Sequence, residues 1–219
     1  NHALATVQAA MSAGVKATIF VPENIAPYKL KRLRDMGATV NVTGSVWNQT
    51  NEHALDFART TGAAYFHPFA DPAVMAGQGT LALEILDEMP GLDAILIAIG
   101  GGGLITGMAV ALKALKPSIR IIGIEPKGCP TFHASIAAGE VITVADVTTR
   151  VATMACARTD PEVFELSRHL IDEVVLLALE VVEGARMDRN ARARRRGGRV
   201  VGGRLDVLGG RRRLGRRRA

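Results

Sequence analysis

The sequence predicts an α/β protein with two open, parallel-sheet α/β domains, and three observations carry that prediction. Strand-like and helix-like stretches alternate from residue 1 to about residue 125 through short loops, the order that buries a parallel sheet between helices. Ala94-Ile-Leu-Ile-Ala-Ile99 is an unbroken apolar run, as expected of a central parallel strand covered on both faces. The chain is 48% hydrophobic but only 4% aromatic, so its core must rest on aliphatic side chains, which suits layered helices and sheets.

The elements follow in order. Ala3 to Ala13 reads as an alanine-rich helix with apolar Leu4, Val7 and Met11, ended by Gly14. Ala17 to Val21 reads as a strand stopped by Pro22. Pro27 suits the first turn of a helix running to Met36, with Gly37 as its stop. Ala38 to Val42 is the next strand, residues 47–60 the next helix, and Ala63 to Phe66 a short strand before the loop His67 to Pro72. Helices are predicted over Val74 to Glu88 and Leu104 to Leu115, and a strand over Arg120 to Ile124. Further on come a strand-like Val141 to Val144, a helix from Pro161 to His169 and a strand over Glu173 to Ala178. Residues 1–66 are expected to form part of a smaller domain, and residues 67–185 an incomplete larger one.

Charge is distributed unevenly. Residues 186–219 hold 14 arginines against Asp188 and Asp206, a net +12, which leaves residues 1–185 at −6 of the overall +6. Arg-Arg-Arg occurs three times there, spaced by glycine pairs and without apolar period, so this tail is expected to be disordered. A nucleic-acid-binding arm is the alternative reading of those charges, but no aromatic residue interleaves them to stack on bases. The absence of lysine among 14 basic residues points to a shifted reading frame in GC-rich coding sequence. Cys129 and Cys156 have no CxxC or metal-site spacing and read as reduced thiols of a cytoplasmic protein. No run reaches the roughly 18 apolar residues of a membrane span, and the opening residues are not expected to act as a signal peptide.

The strongest local chemistry is Ile97-Ala-Ile-Gly100-Gly101-Gly102-Gly103-Leu104, four glycines between an apolar strand and a helix. Without Cβ atoms, successive N–H groups can converge on one point and let an anion approach closely. The helix that follows adds its unpaired first-turn amides and its dipole. A phosphate is the guest such a turn predicts. The bland alternative is a tight strand-to-helix turn needing only one or two glycines. Neither the dinucleotide GxGxxG order nor the Gly-Lys-Ser/Thr of a P-loop is present.

Several motifs in one order then give a resemblance. Asn1-His2-Ala3 looks like the end of an S-x-G-N-H-A segment, and Thr18-Ile-Phe-Val-Pro22 like a strand ending in proline. His67-Pro-Phe-Ala-Asp-Pro72 and Ala76-Gly-Gln-Gly-Thr80 resemble H-P-F-D-D-P and A-G-Q-G-T; the tetraglycine and Ile124-Glu125-Pro126 complete the series. Together they resemble the fold-type II pyridoxal-phosphate (PLP) enzymes, the tryptophan synthase β-like fold, and within them the serine/threonine dehydratases and serine racemases. The likeness is close over residues 1–145 and weaker to about residue 185.

The resemblance implies pyridoxal 5′-phosphate as cofactor, its phosphate cradled by Gly100, Gly101, Gly102, Gly103 and Leu104 and its 3′-hydroxyl bonded by Asn1. Read by itself, Asn1 is equally a helix N-cap, and His2 and His67 read as structural. The implied activity is ammonia release from L-threonine or L-serine, by α-proton removal and β-elimination, leaving a 2-oxo acid. A serine or hydroxyaspartate racemase is the alternative, and a non-catalytic remnant with a basic tail is another. An amino-acid substrate and a homo-oligomeric full-length protein are implied as partners.

Departures from the pattern limit the assignment. The family's Schiff-base lysine precedes the S-x-G-N-H segment and is expected outside this chain. Lys16, Lys29, Lys31, Lys113, Lys116 and Lys127 do not match it, so no catalytic residue is assigned. Val151-Ala152-Thr153-Met154 stands where the family shows A-D-G, and the arginine tail stands where it supplies a partner for the pyridine nitrogen. Glu125 matches a carboxylate that some members use for Mg²⁺ or Ca²⁺, but the second carboxylate is replaced within Cys129-Pro130-Thr131, so Glu125 reads as a hydrogen-bonding residue at a strand end.

Overall fold

The computed structural model describes residues 1–45 and 47–178, apart from the Asn48 side chain, and these residues fall within one compact unit. The tail from residue 186, and the end of the larger domain expected at residue 185, lie outside the described residues.

The first half is a β-α-β arrangement with flanking helices. Helix α1 (His2–Ala13) ends where Gly14 turns left-handed at φ 68°, the C-terminal stop expected there. Strand β1 (Thr18–Val21), helix α2 (Pro27–Asp35) and strand β2 (Thr39–Val42) follow, and β1 pairs in parallel with β2 from Thr18↔Thr39 to Val21↔Val42. Helix α3 (Trp47–Thr61) packs on β1, and Phe57 places its ring 5.4 Å from that of Phe20. The strand expected over residues 63–66 does not form. Tyr65 and Phe66 run to the next helix without a ladder partner, held instead by side chains: the Tyr65 hydroxyl on Asn51, and the Phe66 carbonyl on His2.

The second half contains helix α4 (Pro72–Glu88), strand β3 (Ala94–Ala98), helix α5 (Gly103–Leu115) and strand β4 (Arg120–Pro126). Helix α6 (Thr131–Ala138), a 3₁₀ turn (Ala152–Met154), helix α7 (Pro161–Ser167) and strand β5 (Glu173–Leu177) complete it. The sheet is parallel throughout, in the order β3-β4-β5. Its middle strand is therefore β4 rather than the apolar run of β3. Leu96 is 58% exposed on β3, whereas Ile121 and Glu125 on β4 are buried. The segment 141–144 is no strand either, because its amides are taken singly. Ile142 donates to the Ser135 hydroxyl and Val144 to the Ala157 carbonyl.

Two helices start on the same device. Asp71 and Asp160 each occupy the N-cap before a proline, and their carboxylates accept from first-turn amides: Ala73 and Val74 for Asp71, Glu162 for Asp160. Helices α4 and α5 then lie against each other through glycine. A Cβ on Gly79 would stand 2.9 Å from the Gly107 carbonyl oxygen, and one on Gly107 would strike the Met75 carbonyl. This backbone-to-backbone approach explains Gly79 of the Ala76-Gly-Gln-Gly-Thr80 segment and Gly107.

Candidate cofactor site

Strand β3 delivers the glycine turn to the C-terminal edge of its sheet, where ligands of open α/β folds bind. Ile99 still donates to the Ile124 carbonyl on β4, and the chain then leaves the sheet. Gly102 is the N-cap of α5 at φ 97° and ψ −16°, a conformation costly for any residue with a Cβ. Among the described residues, no hydrogen bond takes up the amides of Gly101, Gly102, Gly103 or Leu104. Gly102 and Gly103 are buried, and Gly101 and Leu104 half-buried. A run of unpaired N–H groups at the start of a 13-residue helix carries partial positive charge and is built for an anion.

The glycines are also needed for packing. A Cβ on Gly100 would stand 2.6 Å from the Thr153 carbonyl oxygen, and one on Gly102 2.7 Å from Val163 Cγ1. One on Gly103 would meet the Phe69 carbonyl oxygen at 2.7 Å, and one on Gly101 would fall inside the Phe69 ring. The Thr159 hydroxyl donates to the Gly101 carbonyl at 2.9 Å, which keeps that carbonyl turned away from the amide side. Where the A-D-G pattern is replaced, Ala152–Met154 form a 3₁₀ turn, and the Thr153 carbonyl lies against Gly100.

Asn1 stands at the N-cap position of α1, but its side chain makes no capping bond and is exposed. Its neighbour His2 ties the start of α1 to the segment that leads into α4. His2 Nε2 lies 3.0 Å from the Phe66 carbonyl oxygen, which can only accept, so Nε2 carries the proton. Burial lowers the pKa of His2. His67 does a related job: its Nδ1 accepts from the amides of Phe69 at 3.2 Å and Ala70 at 2.9 Å. The structural reading of both histidines agrees with these contacts.

Sequence reasoning missed Phe69 and Thr159. Phe69 lay within a quoted motif, but nothing local said that its ring would meet glycines more than thirty residues away. Thr159 carried no signal at all.

Glu125 ends β4 buried at 1% exposure, and its two oxygens each accept at 2.8 Å from the amides of Phe132 and His133 at the start of α6. Burial nevertheless pushes its carboxyl up to about 6. The described residues contain no group of three or more His, Cys, Asp or Glu able to hold a metal. Cys129 and Cys156 are free thiols, and burial pushes Cys156 up to about 11, far from a reactive thiolate. No described helix is long and apolar enough to cross a membrane.

The sheet, the glycine turn and its unpaired amides define an open parallel α/β protein whose strand-to-helix turn is suited to an anion. Residues 1–191 match the model of the pyridoxal-phosphate dependent enzyme family, and the chain belongs to that family. It is 40% identical over 182 residues to an L-threonine ammonia-lyase of Geobacter sulfurreducens, covering 83% of this chain and 45% of that one. It is 38% identical over 188 residues to a serine racemase of Arabidopsis thaliana, covering 85% and 56%. Its fold matches threonine deaminase isoform 2 of Solanum lycopersicum with a TM-score of 0.83 and 32% identity, over 89% of this chain and 57% of that one. The chain therefore spans about half the length of the curated relatives it matches. The unpaired amides of the glycine turn fit the phosphate of the family's cofactor.

Proposed function

We propose that this chain is part of a PLP-dependent ammonia-lyase that converts L-threonine or L-serine to a 2-oxo acid and ammonia. The observation that carries the reading is the glycine turn, whose amides at the start of α5 are free to take a phosphate. Gly100 to Gly103 and Leu104 hold the phosphate by their N–H groups, with α5 adding its dipole. The Asn1 amide, not engaged in capping, donates to the ring's 3′-oxygen. The Phe69 ring covers the turn at Gly101 and keeps water from that side. Bound there, the cofactor supplies an electron sink for the carbanion left when a substrate loses its α-proton.

No residue of the chain is assigned to move that proton. Lys113 donates to the Ile119 carbonyl and Asp172, Lys116 to the Pro90 carbonyl, and Lys31 to Asp35, all away from the turn. Glu125 takes no divalent cation in this reading, because its oxygens already accept from α6. Residues 1–66 are then part of a smaller domain and residues 67–185 part of a larger one, in a cytoplasmic homo-oligomer.

Two measurements test it. Binding of pyridoxal 5′-phosphate, followed by calorimetry, should weaken at least about fivefold in Gly102→Ala, because a Cβ at that φ costs roughly 1–3 kcal/mol. Equal binding by both proteins would remove the turn from the site. The full-length gene product should release ammonia and a 2-oxo acid in equal amounts from L-threonine or L-serine. Inversion of L-serine without ammonia would favour the racemase reading, which the similarity to the Arabidopsis thaliana serine racemase keeps in view.

A further inference from the structure

We infer that His67 is a positioning residue for the anion cradle: its neutral imidazole holds the 67–70 turn that seats Phe69 against Gly101 and Gly103, and taking up a proton releases that turn and weakens phosphate binding. The inference rests on the reading of the glycine turn as a phosphate site.

The geometry forces the protonation state. His67 Nδ1 accepts from two backbone amides, Phe69 at 3.2 Å and Ala70 at 2.9 Å, so in the neutral ring the hydrogen resides on Nε2. A second proton would go to Nδ1 and set an N–H against two N–H donors. Both bonds would be lost together, and two half-buried amides would be left without an acceptor. The imidazole stands edge-on to the Phe69 ring with centroids 4.5 Å apart. Phe69 in turn occupies, with its ring and its carbonyl, the space that a Cβ on Gly101 or Gly103 would need. A shift of the turn therefore moves the wall of the cradle directly.

The groups around His67 are His2 on α1, Asp71 at the start of α4, Asp160 at the start of α7 and the Tyr65 ring. Burial lowers the pKa of His67 and His2 lowers it further, while Asp160 and Asp71 oppose them. The neutral ring thus prevails at neutral pH. The hold is complete above the ordinary histidine range and is lost as pH falls below it.

The chain contains its own reporter. Trp47, the single tryptophan, has its ring 5.7 Å from that of His67 and 5.5 Å from that of Phe69. An imidazolium beside an indole quenches its emission. His67→Asn keeps an acceptor oxygen placed for the same two amides, as in an Asx-turn, but does not titrate. His67→Leu removes the acceptor.

Trp47 emission is recorded as pH is lowered, and inorganic phosphate binding is measured by calorimetry at about pH 8 and about pH 5.5, on either side of the histidine range. The unaltered chain should lose emission with a midpoint below that of free histidine, and the Asn variant should not. Across the same interval the unaltered chain should lose about tenfold more phosphate affinity than the Asn variant, as two amide bonds imply. The comparison cancels the titration of phosphate itself. The Leu variant should bind about tenfold more weakly than the unaltered chain already at about pH 8. Matching pH dependence in the unaltered chain and the Asn variant would overturn the inference while leaving the cradle intact. A Trp47 emission insensitive to pH would do the same. Failure of every variant, and of the unaltered chain, to bind phosphate at about pH 8 would overturn the cradle reading and this inference with it.

Discussion

Around β1 and β2 the buried core consists of four side chains, Val7, Ile19, Val21 and Leu33. Around β3, β4 and β5 it consists of fourteen, among them Phe132, Phe164, Ile105 and Leu112. The difference matters because the proposed site draws on both regions. The glycine turn is held by the thick core, between a buried strand end and α5. Asn1 and His2 start the helix that packs on the thin one, and His2 reaches the following segment through the Phe66 carbonyl.

The contrast can be broken most directly from its strong side. Phe132 is fully buried, lies edge-on to Phe164 at 5.6 Å, and its ring stands 3.2 Å from where a Cβ on Gly102 would be. Phe132→Ala should cost about 4 kcal/mol in urea unfolding, and Leu33→Ala in the thin core about 3 kcal/mol. Only the first should also weaken binding of pyridoxal 5′-phosphate, since only Phe132 backs the turn. A larger loss of binding from Leu33→Ala would reverse the assignment of roles.

A smaller effect comes from Glu125. Its carboxyl, raised by burial from 4.5 to about 6, binds a proton more readily in the folded protein than in the unfolded one. Stability should therefore be highest below the unfolded value and fall by about 2 kcal/mol as pH rises through this window. Glu125→Gln should abolish that slope, which unfolding midpoints measured between these limits would register. The Asp71 cap is smaller still: Asp71→Ala removes the acceptor for Ala73 and Val74 and should cost about 1 kcal/mol. Slow hydrogen exchange at those two amides should be lost with it.

Helix punctuation was legible because it is local chemistry. Gly14 at the end of α1 and Pro27 at the start of α2 lie where the sequence predicts them. The parallel pairing followed from alternation, and the anion turn from four glycines after an apolar run. The two short strands expected at residues 63–66 and 141–144 failed for one reason. A strand needs a neighbour, and their hydrogen-bonding groups are claimed by His2, Ser135 and Ala157 instead. Among the described residues the apolar run of β3 lies at the end of the order β3-β4-β5, because order in a sheet is set by which strands pair and not by hydrophobicity.

The sequence by itself determined the α/β class, the place of the anion turn and the family, because each rests on residue types at fixed local spacing. Tertiary structure alone decided what surrounds that turn. It brought Phe69 onto Gly101 and Gly103, Thr153 onto Gly100 and the Thr159 hydroxyl onto the Gly101 carbonyl. These contacts span thirty to sixty residues, and no local pattern encodes them. They arise only when two helices close enough for glycine to touch backbone pull distant loops over one strand end.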